Sequence, residues 1–539
     1  MIIVVCLDSA DPDLISTWLD EGKLPFLQSL KDKGIWSKVN SLASLLSDAP
    51  WSSFHTGVSP GKHGYYNFQR LEKGTTNIIR VNARSHCKYL PFWHKFHQNN
   101  QKIASFDFPK TFPLENINGV QITGWGEEYP MIPAYSIPED KVKEITRLFG
   151  KYRHPKEIIN PKFISQEKRR YNLLLSNLKQ KTKAVKWLLE QDNYDLFLAS
   201  FGEIHYGNHF FYHDYNTQHW AYNAQRAKHF QSALPNLYSQ LDRGCEEILK
   251  DVDEDATIFV VSVHGISPYY GGNHLISEIM EKFGWQVKPD SQIKETNITG
   301  WEKLLETPWS QKLRNIIPQD IRSFINDRLI PTTIHDRLQN YQFNKSINWQ
   351  ETRAFFLDIH FQGFIRINLK NREPNGIVER GEEYNSLCEE IITELKLLVN
   401  LDTNKPAIEE IYHVSQLVQG ESIEELPDIV FKWVEDQEIK QLYHPKLGLI
   451  SAPAPPRRKT NHRGKGFLLA VGKHINPYAQ ISEINVLDFA PTLLYLLGQS
   501  IPEYMEGRIL EEMIDRQFKE NNPIKYESFS DGCNRFCRW

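Results

Sequence analysis

The sequence has few cysteines, almost no excess of charge and no long apolar run. Its six cysteines are spread over 539 residues, which gives no disulfide framework and favours a reducing compartment. The 63 basic and 67 acidic side chains leave a net charge of -4, which argues against a nucleic-acid footprint or an anionic-membrane patch. No apolar segment approaches the ~18 residues of a membrane span. We therefore expect a cytoplasmic protein with neither a nucleic-acid nor a membrane partner.

The chain begins with an apolar, β-branched segment, residues 2–7, which Asp8 follows directly. This segment lacks the basic region and cleavage site of a signal peptide, and it predicts a buried strand of a parallel sheet. The apolar run 256–263 likewise ends at His264. Ligands of open α/β sheets collect at the carboxyl ends of strands, so both side chains are candidates for a functional site.

Apolar strands alternate with amphipathic helices along the chain, which predicts an α/β architecture. The length allows either several domains or one enlarged domain with insertions. We predict helices at 12–19, 168–190, 225–249, 380–398 and 486–497, strands at 34–42, 103–108, 194–201 and 256–263, and a return of the sheet at 353–357 and 363–369. Charged helical segments at 136–191 and 280–345 are predicted to form a cap, and the Pro-rich basic segment 451–466 to lack regular structure.

Ser47 stands before a short apolar segment that ends at Gly57. This position predicts the N-cap region of a helix, where unpaired N–H groups and the helix dipole favour an anion. A hydroxyl held there is either a nucleophile or only a cap, because serine is a preferred N-cap residue.

His205 and His209 are four residues apart, so on a helix they lie on one face and are able to hold a single zinc-like ion. An isolated His-x3-His pair is common by chance. Here it is accompanied by Asp8 and His264 at strand ends and by His462 in the basic segment. Several segments that each end in a metal-ligand side chain predict a metal site.

Several short motifs follow one another in a definite order. They are Val5-Cys6-Leu7-Asp8, Leu24-Pro25-Phe26-Leu27, Ser47-x3-Trp51-x-Ser53-Phe54-x-Thr56-Gly57, Phe201-Gly202-Glu203, Ser262-Val263-His264-Gly265, His462-Arg463-x2-Gly466 and Asp488-x2-Pro491-Thr492. In these motifs the chain resembles the alkaline phosphatase superfamily, in its type I phosphodiesterase and nucleotide pyrophosphatase branch.

The resemblance implies a three-layer α/β/α sandwich with a mostly parallel central sheet and helical insertions that form a cap. It assigns residues 1–515 to one discontinuous catalytic domain. The segments 136–191 and 280–345 are then the insertions, and 516–539 is a C-terminal tail.

The resemblance also implies a site for two metal ions. In the family one ion lies between an aspartate, the nucleophile and an Asp-His dipeptide, and the other between an Asp-x3-His pair and a late histidine. Carried onto this chain, the ligands are Asp8, the Ser47 oxygen and His264 for the first ion, and His205, His209 and His462 for the second. Val263 stands where the dipeptide has its aspartate, so the first site lacks a carboxylate. Three histidines suit zinc, so we expect one or two divalent ions, and zinc is the metal that these ligands favour.

The missing carboxylate at Val263 leaves two alternatives. Either Glu203 or Asp48 supplies the oxygen, or the enzyme works with one tightly held ion. Glu203 also has a second interpretation, as a support for His205.

Two further residues are candidates for contact with substrate. Asn67 stands one position before the phosphate-contacting asparagine of the branch. Arg463 and its basic neighbours form either a cationic rim that attracts a phosphate ester or a solvated loop.

By this resemblance the protein is expected to be a metal-dependent hydrolase of small phosphoric esters, a phosphodiesterase or pyrophosphatase, acting through a Ser47 phospho-enzyme. A phosphoryl transferase is also allowed, because an alcohol resolves the same intermediate as water. A sulfatase fits less well, since 47–51 lacks the arginine that follows a sulfatase nucleophile. An alternative of another kind is a binding protein that kept the fold and lost the first metal site, for which Val263 is the best support.

Overall fold

The computed structural model describes residues 1–82, 86–98, 100–126, 133–155, 163–289, 332–359, 361–455 and 458–528. Within these residues, a central sheet of nine strands runs through the protein. Its strands are β1 (Ile2–Leu7), β2 (Ile35–Asn40), β3 (Ile103–Phe106), β4 (Gly119–Thr123), β5 (Tyr135–Ile137), β6 (Leu196–Phe201), β7 (Thr257–Ser262), β8 (Lys465–Gly472) and β9 (Ile484–Asn485). Their order across the sheet is β9-β2-β8-β7-β1-β6-β3-β4-β5.

The sheet is mostly parallel, as predicted. Strand β1 pairs in parallel with β6 and β7, while β8 and β5 run antiparallel to their neighbours. Because both faces are covered, β1 is buried along its whole length.

Helices cover both faces of this sheet. In chain order, the helices of the described residues are α1 (Pro12–Asp20), α2 (Pro25–Lys33), α3 (Ala49–Thr56), α4 (Pro60–His63), α5 (Lys141–Phe149), α6 (Ile164–Leu189), α7 (Glu203–Tyr215), α8 (Ala224–Phe230), α9 (Ala233–Leu249), α10 (Asn273–Lys282), α11 (Thr332–Lys345), α12 (Glu382–Lys396), α13 (Phe489–Leu496) and α14 (Arg516–Asn521). Short 3-10 turns occupy Phe92–Gln98, Val414–Gln416, Ile423–Glu425, Val486–Asp488 and Glu511–Met513.

The alternation of side chains along β1 divides the core into two layers. Val5 and its odd-numbered neighbours pack against α1, α2, α6, α7 and α9. Val4 and its even-numbered neighbours pack against α3, α13 and the Phe92–Gln98 turn. The result is the predicted three-layer α/β/α sandwich.

A second, antiparallel sheet of four strands stands apart from the central one. Its order is Ala354–Phe356, Gly363–Ile367, Ile429–Trp433 and Ile408–His413, and it shares a core with α10 and α12. The prediction that 353–357 and 363–369 resume the central sheet was therefore wrong, because a buried strand pattern does not specify which sheet the strand joins.

Small ladders complete the described structure. One is a four-stranded sheet with the order Lys405–Pro406, Val399–Asn400, Gln441–His444 and Gly448–Ser451. The others are three two-stranded sheets, in which Gln69–Leu71 pairs with Ile78–Arg80, Gly265–Pro268 with Thr460–Arg463, and Ile501–Pro502 with Tyr526–Glu527.

Two other local predictions need correction. The predicted helix 225–249 is two helices, α8 and α9. The segment 451–466, predicted to be irregular, contains the strand Thr460–Arg463, which pairs with Gly265–Pro268. A pairing partner that is distant in sequence forms this strand despite the Pro-rich surroundings.

The predicted cap segments have different outcomes. Within 136–191, α6 packs into the main core beside β6, so this segment supplies part of a sheet-covering layer. Residues 290–331, most of the other segment, and 529–539 of the predicted tail lie outside the described residues. Among the helices that are described, none has the length and apolar character required to cross a bilayer.

Candidate active site

The carboxyl ends of three central strands bring distant segments to one edge of the sheet. Leu7 of β1 is in register with Phe201 of β6, and Cys6 is in register with Val261 of β7. Asp8, the first residue of α7 and His264 therefore lie at the same level along the sheet. Strand β8 runs in the opposite direction, and its first residues therefore reach this edge as well. The strand immediately before it carries His462.

The predicted histidines converge at this edge. His205 and His209 lie on one face of α7 with their Nε2 atoms 3.0 Å apart. The ring of His462 lies 4.8 Å from that of His205, 5.5 Å from that of His209 and 4.4 Å from that of His264, measured between centroids. All four rings are buried.

The Asp8 carboxylate is fixed by three side chains. Its Oδ2 lies 3.1 Å from His205 Nδ1, and its Oδ1 accepts a hydrogen bond of 2.7 Å from the Trp51 indole and lies 3.3 Å from His264 Nε2. Burial opposes ionisation, but the charges and hydrogen bonds of His205 and His264 hold the pKa of Asp8 well below its usual range. The Asp8 side chain is therefore ionised at neutral pH.

The rings of His209 and His462 lie in surroundings that favour neutral imidazole. Burial lowers the pKa of His209 and of His462 well below the usual value, and neighbouring positive groups lower it further. Neither ring nitrogen of His462 makes a hydrogen bond to any described residue, although both are buried. Neutral imidazoles with available nitrogens are the usual histidine ligands of a metal.

Two groups of side chains have the geometry to hold an ion. One is His205, His209 and His462, and the other is Asp8, His205 and His264; within each group the ligand atoms lie within 4.8 Å of one another. His205 belongs to both groups.

Ser47 lines the pocket that contains Asp8, His205, His264 and His462. The sequence predicts it in the N-cap region of α3, and it lies one residue before the N-cap residue, Asp48, whose side chain makes no capping hydrogen bond. The Asp48 carboxylate instead accepts a hydrogen bond of 2.9 Å from the Phe68 backbone N–H and lies 3.1 Å from Lys110 Nζ. The helix begins one residue later than the sequence indicated, which leaves Ser47 in the loop.

The residues considered as substitute ligands have other partners. Glu203 Oε1 accepts a hydrogen bond of 2.8 Å from the Tyr152 hydroxyl and lies 3.8 Å from Lys181 Nζ, while burial raises its pKa. The Asp48 carboxylate likewise has a partner, since it pairs with Lys110. Val263 is fully buried in the apolar layer that contains Trp51, so no ligand oxygen arises there.

Asn67 and Arg463 are placed away from the pocket lining. Asn67 Oδ1 accepts a hydrogen bond of 2.9 Å from the Gln69 backbone N–H. Arg463 forms ion pairs with Asp11 at 2.7 Å and Asp13 at 2.6 Å, so it belongs neither to a rim around the pocket nor to a solvated loop. Its neighbour Arg457 lies outside the described residues.

Sequence reasoning missed three charged residues that line the same pocket, namely Asp107, Lys110 and Lys181. Asp107 follows β3 directly, so the strand-end argument used for Asp8 applies to it equally. Nothing in the sequence distinguishes Lys181 from the other lysines of its charged helix.

The central sheet of this α/β/α protein thus brings the candidate site residues together at one edge. The family model for type I phosphodiesterase / nucleotide pyrophosphatase matches residues 2–321, and the chain belongs to that family. The members of this family are hydrolases of phosphoric ester bonds and are generally metal-dependent. No curated protein matches the chain.

Several solved structures are similar to this chain. Phosphonoacetate hydrolase from Sinorhizobium meliloti 1021, in complex with phosphonoacetate, has 13% identity and a TM-score of 0.49, with 90% of this chain and 93% of that chain covered. An inactive variant of murine ectonucleotide pyrophosphatase / phosphodiesterase 5, in complex with AMP, has 11% identity and a TM-score of 0.42, with coverage of 95% and 99%.

Proposed function

We propose that the protein is a metal-dependent phosphoric ester hydrolase that uses Ser47 as its nucleophile on a small-molecule substrate. The observation that carries this proposal is the buried cluster of His205, His209 and His462 beside the pocket that Ser47 lines. A buried imidazole without hydrogen bonds, such as His462, is costly unless a ligand satisfies it.

The residues present fit a divalent ion. The His205 Nδ1–H donates to the Asp8 carboxylate, and His209 Nδ1 lies 2.7 Å from Thr460 Oγ1, so both Nε2 atoms are left for the ion. With His462 they form a three-nitrogen set that suits zinc. Such an ion lowers the pKa of a nearby hydroxyl and stabilises charge that develops on phosphoryl oxygens.

We further propose that one ion is held tightly. His205 cannot serve both groups as an ordinary terminal ligand, since its Nδ1 faces Asp8 and its Nε2 faces His209. The buried Val263 side chain offers no oxygen to a second ion. Asp8 then acts through His205, whose tautomer and orientation it fixes.

In the proposed reaction, Ser47 Oγ forms a bond to phosphorus as the bond from phosphorus to the leaving oxygen breaks. Water then hydrolyses the phosphoserine and releases the second product. Trp51 and His264 hold Asp8 in place during both steps, through the contacts described above.

The reducing compartment inferred from the sequence also remains part of the proposal. Cys6, Cys87, Cys245 and Cys388 are buried free thiols, which is consistent with a cytoplasmic protein.

A binding protein of the same fold is the second candidate, and Val263 is the observation that favours it. Loss of a family carboxylate would weaken the first metal position without disturbing the fold, because valine fills an apolar layer.

The experiment is hydrolysis of p-nitrophenyl phosphate esters with zinc or manganese by wild type and Ser47→Ala. We expect Ser47→Ala to lower kcat at least about a thousandfold, since it removes the attacking atom. Ser37→Ala, on β2 away from the pocket, is the matched control and should retain wild-type turnover. Equal turnover in wild type and Ser47→Ala would reject the nucleophile, and a wild type without turnover would favour the binding protein.

A further inference from the structure

The pocket beside Ser47 contains two lysines, Lys110 and Lys181. Val263 stands where the family has a metal-binding carboxylate, and we have proposed that only one ion is held tightly. A phosphoryl group bound at this edge then needs a second positive charge close to its oxygens. The two lysines differ in whether they are able to supply it.

Lys181 is committed to the protein itself. Its ammonium donates to the backbone carbonyls of Gly126 at 2.6 Å and Ser200 at 3.2 Å, and lies 3.4 Å from Asp107 Oδ2. Its side chain is only 1% exposed. These oxygen contacts use its three donors, so Lys181 ties α6 to the ends of the neighbouring strands.

Lys110 is attached to the nucleophile segment at two points. Its backbone carbonyl accepts a hydrogen bond of 3.2 Å from His55 Nε2 on α3, and its Nζ lies 3.1 Å from Asp48 Oδ1. The side chain lines the pocket and is 17% exposed, whereas the Lys181 side chain is almost fully buried.

We propose that Lys110 is a phosphate-binding residue, which contacts the non-bridging phosphoryl oxygens of the substrate and supplies positive charge beside Ser47 in place of a second ion. The inference rests on the proposed function. A lysine ammonium is a compact point charge that binds phosphate without demanding a particular geometry. Its pairing with Asp48, next to the nucleophile, keeps it close to Ser47 before substrate arrives.

Three variants test this role: Lys110→Gln, Lys110→Arg and the control Lys102→Gln. Lys102 is a half-exposed lysine paired with Asp192 at 2.8 Å and is absent from the pocket lining. Binding of inorganic phosphate is measured by calorimetry for each protein, both zinc-loaded and after removal of metal with a chelator.

We expect Lys110→Gln to weaken phosphate binding at least about tenfold in both forms, with an unchanged zinc content and unfolding temperature. Lys110→Arg should recover part of the affinity because it keeps the charge. Lys102→Gln should bind as wild type does.

The outcomes separate this inference from the proposed function. If Ser47→Ala is inactive but Lys110→Gln binds phosphate as tightly as wild type, the role of Lys110 is rejected and the nucleophile stands. If Lys110→Gln loses zinc, its effect passes through the metal site and the inference is also rejected. If Ser47→Ala remains active, the nucleophile is rejected, while weaker phosphate binding by Lys110→Gln still supports Lys110 as the anion site.

Discussion

At the scale of single residues, the site depends on which nitrogen of each histidine faces the protein. Asp8 engages Nδ1 of His205, and Thr460 engages Nδ1 of His209. Both Nε2 atoms are thereby directed at the same point. His462 differs, because both of its nitrogens are buried without a hydrogen bond to the described residues.

This difference makes His462 the most informative of the proposed ligands to remove. We expect zinc to raise the unfolding temperature of wild type, since an ion that binds only the folded state stabilises it by about 2.7 kcal/mol at a hundredfold excess over Kd. His462→Ala should show little or none of this rise. Thermal unfolding with zinc and with a chelator measures the effect, and the exposed His229 gives the control His229→Ala. An equal zinc-dependent rise in both variants would exclude His462 as a ligand.

At the scale of elements, the buried Asp428 carboxylate joins the second sheet to the segments around it. Asp428 precedes the strand Ile429–Trp433 and accepts hydrogen bonds from two guanidinium nitrogens of Arg372, at 2.7 and 2.6 Å. It also accepts one of 2.7 Å from the hydroxyl of Tyr384 on α12. The carboxylate thus joins a strand, a turn and a helix.

This ion pair predicts a specific dependence of stability on pH. Burial alone would raise the pKa of Asp428, but Arg372 lowers it from 3.8 to about 2. A lowered pKa in the folded state contributes stability above the unfolded pKa, and this contribution is lost as pH falls from about 4 to about 2. Its size is about 2 kcal/mol.

We therefore expect Asp428→Asn to cost about 1.5–3 kcal/mol at neutral pH, because Arg372 loses two charge-assisted hydrogen bonds and keeps its ion pair with Glu373, at 2.7 Å. The variant should also lose less stability than wild type between pH 5 and pH 3. Urea unfolding at both pH values measures this difference. The exposed Asp402 provides the control Asp402→Asn, and a wild-type pH dependence in Asp428→Asn would contradict the assignment.

At the scale of the whole molecule, the second sheet supports the loop that carries Ser47. Leu46 and Tyr66, on either side of α3 and α4, share one apolar cluster with Phe364 and Val430 of that sheet. The Phe364 ring meets the Tyr66 ring edge-on at 5.8 Å. The nucleophile loop is therefore held between the central sheet and the second one.

Phe364 offers a test of this support. We expect Phe364→Ala to destabilise the protein by about 3–5 kcal/mol through the cavity it leaves, and to lower kcat because the Ser47 loop loses its support. Zinc content should stay at the wild-type level, since the histidines lie on other elements. Urea unfolding, turnover and metal analysis measure the three quantities.

The control is Phe283→Ala, a partly buried ring that packs against the core of the second sheet and stacks on Trp285 at 4.4 Å. It should destabilise the protein while keeping kcat near wild type. Equal losses of kcat in both variants would show that general destabilisation, and not the Ser47 loop, limits turnover.

The sequence by itself determined the layered architecture and the residues that converge at one sheet edge. Continuous apolar runs indicate buried strands, and the residues that follow parallel strands lie at a common edge of the sheet. Asp8 and His264 were predicted in this way. The i,i+4 spacing of His205 and His209 needed only a helix. The resemblance to a known family indicated His462 as a metal ligand and showed that Val263 stands where the family has a metal-binding carboxylate.

Only the tertiary structure decided which partners these residues have. That Trp51 bonds Asp8, that Arg463 pairs with Asp11 and Asp13, and that Lys110 lies beside Asp48 depends on contacts between segments far apart in the chain. Periodicity records which face of an element is buried, but not what is packed against it. For the same reason, the sequence predicted neither the second sheet nor the two lysines of the pocket, and both were found only in the tertiary structure.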